Sequence, residues 1–229
     1  MMHRAFFIAG TDTDVGKTTI AAGLLHAARL AGLSTAAVKP VASGCERTEQ
    51  GLRNSDALAL LAECSLALDY ATVNPFAFEP AIAPHIAARE AGVELTAARL
   101  IEAVQSVMAR QAGVTLVEGA GGWRVPLNAR EHLSALPAAL GLPVILVVGV
   151  RLGCINHALL SAEAIARDGL ALAGWVANII DPATSRLDDN LATLAELLPA
   201  PCLGQVPRLA APTARQVARY LTLPALQPV

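Results

Sequence analysis

The chain has 229 residues, of which 54% are hydrophobic, 16% charged and 3% aromatic, a balance too apolar for disorder and sufficient for one α/β domain with an aliphatic core. Its 17 basic and 19 acidic residues leave a net charge of −2, which excludes nucleic acid or an anionic membrane as an expected partner. Cys45, Cys64, Cys154 and Cys202 are scattered without a CxxC pair, so neither a zinc site nor a redox motif is predicted, and the thiols are read as reduced ones in a cytoplasmic protein.

Arg4–Gly10 is a short apolar run ending in glycine, which predicts a buried strand. It has no secretory pattern, because Asp12 and Asp14 follow at once. Lys17–Ala31 repeats apolar residues at helical spacing, with Gly32 placed to cap its end. Thr35–Val38 reads as a second strand, Ser43–Asn54 as a polar loop, and Ser55–Glu63 as a helix capped by Ser55. Pro75, Pro80 and Pro84 make Leu68–Pro84 an irregular excursion. Thr96–Gln111 is a helix that Thr96 caps, and Val114–Glu118 is a strand running into Gly119-Ala120-Gly121-Gly122.

Leu133–Val150 carries no charge and has the length of a membrane span. Pro137, Gly141 and Pro143 break it into a helix end, a loop and the buried strand Pro143–Val150. The helix Asn156–Arg167, strand Leu172–Ile179, helix Leu187–Leu198, strand Cys202–Val206 and helix Pro212–Leu221 complete the chain. Strands that alternate with helices and are apolar on both faces predict an α/β fold. The expected form is a mostly parallel sheet with helices on both faces, a P-loop NTPase-like three-layer sandwich in one domain over residues 1–229. Ligands of such sheets bind at the carboxyl ends of the strands.

Gly10-Thr11-Asp12-Thr13-Asp14-Val15-Gly16-Lys17-Thr18 lies between a predicted strand and a predicted helix, the context of a phosphate-binding loop. Glycine lets successive N–H groups point at phosphate oxygens, and the helix start adds its positive dipole end. Lys17 reaches the outer phosphates and the Thr18 hydroxyl suits Mg²⁺. Five residues separate Gly10 from the Gly16-Lys17 pair, where the usual pattern has four; a variant subclass is implied. Asp56 and Glu118 are the candidate carboxylates for that metal. Lys39, between an apolar strand and Pro40, is placed to steady an anionic transition state.

These segments, with Lys39-Pro40-Val41-Ala42-Ser43-Gly44, Asn54-Ser55-Asp56-Ala57-Leu58, Val117–Trp123, Val147–His157 and Ala173–Asn178, resemble the dethiobiotin synthetase family up to about Leu209. The resemblance implies closure of a cyclic urea on 7,8-diaminopelargonic acid with CO2 (or bicarbonate) and ATP. One amine becomes a carbamate, ATP phosphorylates it, the second amine attacks, and ADP and phosphate leave. Mg²⁺ is implied, and no PLP, flavin or haem. Lys39, Lys17 and Thr13 are the implied catalytic residues. Ser43 and Thr13 would contact the diamine, while Gly153, Cys154, Ile155 and Asn156 of a partner subunit would hold its carboxylate, making a homodimer. Asp14, Val15, Gly16, Lys17, Thr18 and Thr19 would cradle the phosphates, beside Asp56, Glu118, Gly119, Ala120 and Gly121. Asn178 would read the adenine, with Pro207, Arg208 and Leu209 closing over it. Thr18, Asp56 and Glu118 would hold the metal. Asp14 stands where many relatives carry glutamate.

A partner-activated ATPase switch of the partitioning or septum-positioning kind shares this type of fold and loop. Its loop carries an extra lysine five residues before the P-loop lysine, and that position here is Asp12. A cobyrinate-type amidotransferase would add a glutaminase domain, for which this chain is too short. A non-catalytic nucleotide-binding module would not need Lys39, Ser43, Asp56 and Glu118 together.

Overall fold

The computed structural model describes residues 4–224. Its elements in chain order are β1 (Arg4–Gly10), α1 (Lys17–Leu30), β2 (Thr35–Val38), β3 (Val41–Ala42), β4 (Glu46–Thr48), β5 (Gly51–Arg53), α2 (Ser55–Ala62), α3 (Tyr70–Val73), β6 (Phe76–Ala77), α4 (Pro84–Glu90), α5 (Ala97–Met108), β7 (Val114–Glu118), α6 (Ala135–Leu140), β8 (Val144–Val150), α7 (Cys154–Arg167), β9 (Leu172–Ile179), α8 (Leu187–Leu197), β10 (Cys202–Val206) and α9 (Ala214–Ala218). Six strands form one parallel sheet in the order β10-β9-β8-β1-β7-β2. β1 is central, and the chain crosses to opposite sides of it to reach β7 and β8. The strand order therefore reverses beside β1, where an open sheet leaves a crevice at its carboxyl edge.

Alternate strand residues face opposite layers. Phe7, Ala9, Leu146, Val148 and Trp175 join one core cluster with residues of α5, α6, α7 and α8. Phe6, Ile8, Ile145, Val147 and Val176 join a second with residues of α1 and α9. Both layers are mainly Ala, Val, Leu and Ile, as the low aromatic content requires. Each fully buried branched side chain, such as Ile8 or Leu24, contributes roughly 1.5–3 kcal/mol relative to exposure. Among the described residues no helix is long and apolar enough to cross a membrane.

Most predicted strands stand as expected; the departures come from side-chain caps and small pairings. Gly32 sits just beyond α1 at φ 77°, and the N–H groups of Gly32 and Leu33 donate to Arg29 O and Ala28 O, both at 3.0 Å, a Schellman closure. α2 is capped by Asn54, not Ser55: Asn54 is extended, and its Oδ1 accepts from the N–H groups of Asp56 (3.1 Å) and Ala57 (3.2 Å). Thr96 caps α5 as predicted, accepting from the Arg99 N–H. The predicted loop Ser43–Asn54 contains the antiparallel hairpin β4-β5. The proline-rich excursion contains α3 and β6, and β6 pairs in parallel with β3. α7 starts two residues before the predicted Asn156, and α9 is confined to Ala214–Ala218 behind a capping box of Thr213 and Gln216.

Candidate active site

The turn after β1 curls back on itself. The Asp12 carbonyl accepts from Lys17 Nζ at 2.9 Å, and the Asp12 carboxylate accepts from the Thr13 N–H (2.8 Å) and from Arg151 Nη2 (2.8 Å). Asp14 holds a left-handed φ of 58°, a conformation that aspartate tolerates better than most residues. Gly16 is the N-cap of α1 at φ 86°, and no side chain caps the helix. The N–H groups of the first turn therefore face outward with the positive end of the helix dipole, a ready anion site. A Cβ on Gly16 would come within 2.3 Å of Asn178 Nδ2, so only glycine fits both the turn and its neighbour.

Beside this loop, parallel pairing sets Val38 of β2 against Val117 of β7. The next residues, Lys39 and Glu118, are thus brought together at the carboxyl edge. Lys39 Nζ donates to Glu118 Oε1 at 2.6 Å and to Asp56 Oδ2 at 2.5 Å. The Thr18 hydroxyl donates to the same Glu118 oxygen at 2.7 Å. Lys39 is 5% exposed, Lys17 7% and Glu118 0%. Burial disfavours the Lys39 ammonium, but the charges of Glu118 and Asp56 outweigh it and hold its pKa above the ordinary 10.5. For Lys17 burial prevails, aided by the Lys39 charge against that of Glu118, and its pKa lies below 10.5. Glu118 Oε2 is buried without a hydrogen-bond partner.

A cleft of about 850 Å³ opens over these groups. It brings together Thr13, Asp14, Gly16, Lys17, Thr18, Thr19, Lys39, Ser43, Asp56, Glu118, Ala120 and Gly121 of the predicted residues. Its apolar wall, Ala81–Pro84 with Val125 and Pro126, and the neighbouring Arg124 lie outside the residues expected at the site. No motif marked those residues; Arg124 alone had a signal, its place directly after the glycine run and Trp123. A second hollow of about 300 Å³ gathers Asn178 with Pro207, Arg208 and Leu209, again next to Asp14, Gly16 and Thr19. Val15 lies beneath the loop, and its carbonyl accepts from Asn178 Nδ2 at 2.8 Å. Gly119 packs on Phe7, where a Cβ would approach a ring carbon to 2.8 Å. Gly153, Cys154, Ile155 and Asn156 line neither hollow. They form the uncapped start of α7, with Gly153 at φ 91°.

Arg124 is fixed from below. Its guanidinium donates to both oxygens of Asp168 (2.7 and 2.8 Å), and the Trp123 indole N–H shares that carboxylate at 2.8 Å. Burial opposes the charge on Asp168, but these donors hold its carboxyl below the usual 3.8.

The residues can therefore hold a polyphosphate on the loop, a heterocycle in the second hollow and an anionic reacting group under Lys39. Among the described residues no three His, Cys, Asp or Glu gather around one point. The donors facing the loop are instead two carboxylates and a hydroxyl, hard oxygen ligands of the kind Mg²⁺ takes alongside phosphate. The orphaned Glu118 oxygen fits that use.

The pattern of the AAA domain family matches residues 4–216. The chain is 78% identical over 219 residues to an ATP-dependent dethiobiotin synthetase of Pseudomonas paraeruginosa, covering 96% of each. It is 60% identical to the enzyme of that name from Cellvibrio japonicus, covering 97% of each. It is 49% identical to that of Xanthomonas campestris, covering 98% of this chain and all of the other. Among solved structures, a ParA family ATPase of Chlorobium tepidum superposes with TM-score 0.58 at 13% identity, covering 96% of this chain and 97% of that one. The septum site-determining protein MinD of Pyrococcus horikoshii gives 0.55 at 18%, covering 90% and 82%. At such identities these two establish the fold alone.

Proposed function

The chain belongs to the ATP-dependent dethiobiotin synthetase family, and from that premise we propose how its cleft closes the cyclic urea of dethiobiotin. It is an ATP-dependent ligase of biotin synthesis. The observation that carries the reading is the Lys39 ammonium, held between Asp56 and Glu118 directly beside the phosphate loop.

ATP lies with its phosphates on the loop of Asp14–Thr19 and its base in the hollow of Asn178, Pro207, Arg208 and Leu209. Lys17 leaves the Asp12 carbonyl to meet the outer phosphates. Thr18, Asp56 and Glu118 would hold Mg²⁺, which when bound would supply positive charge against the phosphates and the transferring group. The diaminopelargonic acid places its amines near Thr13 and Ser43, and its aliphatic chain runs along Ala81–Pro84 and Val125. One amine takes up CO2 to form a carbamate. Lys39 stabilises the carbamate and the charge that develops as the γ-phosphoryl group passes to it. The second amine then attacks the carbonyl carbon of the mixed anhydride, the C–O bond to phosphate breaks, and the ring closes. Positioning of reactants carries most of the rate, since no residue forms a covalent bond.

The diamine carboxylate would sit on the uncapped start of α7, Gly153–Asn156, of a partner subunit, a sound anion site. The active unit is then a homodimer of one-domain subunits working in the cytoplasm.

A product assay tests the reading. Protein, MgATP, bicarbonate and 7,8-diaminopelargonic acid are incubated, and ADP and the organic product are followed by mass spectrometry. ADP release that requires the diamine, with a product gaining one carbon and one oxygen and losing two hydrogens, is expected. ATP hydrolysis indifferent to the diamine would overturn it.

A further inference from the structure

Behind the reacting face, five residues close a hydrogen-bonded ring that includes both Lys39 and Asp56. Asn74 Nδ2 donates to the Lys39 carbonyl at 2.8 Å. The Tyr70 hydroxyl donates to Asn74 Oδ1 at 3.0 Å and accepts from the Asn54 N–H at 2.7 Å. Asn54 Oδ1 accepts from the Asp56 N–H at 3.1 Å, and Asp56 Oδ2 returns to Lys39 Nζ at 2.5 Å. The Lys39 N–H is tied to the same segment, donating to Val73 O at 2.7 Å. Asn54 and Asn74 are buried, and Arg53 lies over the Tyr70 ring at 4.3 Å.

Two parts of the chain with no covalent neighbourhood meet in this ring: the turn after β2, which carries Lys39, and the start of α2, which carries Asp56. Neither is anchored to the other by regular strand pairing. β2 pairs with β7, whereas α2 follows the β4-β5 hairpin. Behind the Lys39–Asp56 ion pair, the Tyr70 hydroxyl bridges the two parts as donor to one side and acceptor from the other, beside a longer bond from Asn54 Nδ2 to Ser43 O at 3.4 Å. Buried polar networks of this kind rigidify when every member is satisfied and fail as a unit when one is removed.

We infer that Tyr70 and Asn74 are positioning residues of the reaction, holding the Lys39 main chain and the first turn of α2 in the register at which ammonium and carboxylate face the phosphate loop. This rests on the roles proposed above for Lys39 and Asp56. Removal of the bridge loosens the relation between those two groups without touching Lys17, the loop or the base hollow. Its signature is therefore a loss in kcat and in metal-dependent nucleotide affinity, with metal-free nucleotide binding unaltered.

Tyr70→Phe keeps the ring and removes the hydroxyl, leaving the Asn54 N–H and Asn74 Oδ1 without this partner. We expect kcat to fall roughly 10- to 100-fold, the range for loss of a group that orients a metal ligand. By calorimetry, ADP should bind the variant as tightly as wild type in EDTA, while the gain in affinity on adding Mg²⁺ shrinks by a similar factor. Should Tyr70→Phe not fold, Asn74→Ser cuts the ring on the other side of the same hydroxyl and carries the same two expectations. A folded variant with wild-type kcat and a wild-type Mg²⁺ increment overturns the inference. So does a loss of ADP affinity equal with and without Mg²⁺, which would mark a general structural role. If wild type itself shows neither diamine-dependent turnover nor a Mg²⁺ increment, it is the underlying reading that fails.

Discussion

Lys39 Nζ donates to Glu118 Oε1 across 2.6 Å, in a place where Lys39 is 5% exposed and Glu118 0%. Adjacent parallel strands set the pair, because Val38 stands against Val117 one residue earlier. Removing one member of a buried ion pair leaves an uncompensated charge, which costs about 3–5 kcal/mol. Lys39→Met should therefore lower stability by about that amount at neutral pH and reduce kcat by about 10²–10³-fold, with ADP still bound on the loop. The folded pKa of Lys39 is raised above 10.5, so its stabilisation is complete below 10.5 and lost as pH rises through the folded value. Thermal melts of wild type and variant should differ most near neutrality and converge in strong alkali; parallel loss of ADP binding would refute the assignment.

Lys17 answers to a different partner. Its ammonium rests on the Asp12 carbonyl in this structure, at the first turn of the helix that follows the loop. Lys17→Ala removes a charge-assisted hydrogen bond to phosphate worth about 1.5–3 kcal/mol. Nucleotide affinity should fall by roughly 10- to 150-fold in calorimetry, and unchanged affinity would dismiss the role.

Asp168 joins the end of α7 to the cleft wall by its two bonds from Arg124 and one from Trp123. Asp168→Ala should destabilise the fold by roughly 1–3 kcal/mol and raise the KM for the diamine more than that for ATP. The folded pKa lies below 3.8. The stabilisation is thus present above 3.8 and lost as pH falls through the folded value. The gap in melting temperature should close below pH 3.8; a gap independent of pH would show that packing, not the carboxylate, is responsible.

Leu152 is 93% exposed immediately before Gly153, and Leu160 of α7 is exposed as well. If the start of α7 meets a second subunit, Leu152→Glu buries a charge in that contact. Sedimentation should show wild-type dimer and a variant shifted to monomer, with a raised KM for the diamine. A wild type that is monomeric at working concentration would dismiss the shared site.

The six strands of the parallel sheet, from Arg4–Gly10 to Cys202–Val206, were legible as mostly apolar runs bounded by glycine, proline or polar residues, and so was the phosphate loop, a local motif; the short pair β3-β6 was not. The β4-β5 hairpin and the α2 cap were not. The hairpin is polar and exposed, so no periodic burial marks it, and Asn54 outcompetes Ser55 as cap through its own backbone conformation. The apolar wall Ala81–Pro84 had no signal, because it comes from a proline-rich stretch whose partner is a pocket rather than the core.

Local chemistry in the chain by itself pointed to the parallel α/β architecture and the glycine-bearing loop, and offered Lys17, Lys39, Asp56 and Glu118 as candidates that the fold gathers at one cleft. The tertiary structure alone decided that Lys39 lies between two carboxylates, that Asn178 reaches the loop from two strands away, and that Tyr70 bridges Lys39 to Asp56. Lys39 and Glu118 are 79 positions apart and Val15 and Asn178 163, distances closed by strand order and register, whereas the Tyr70 bridge is closed by side-chain hydrogen bonds at the ends of short helices; a one-dimensional pattern encodes neither.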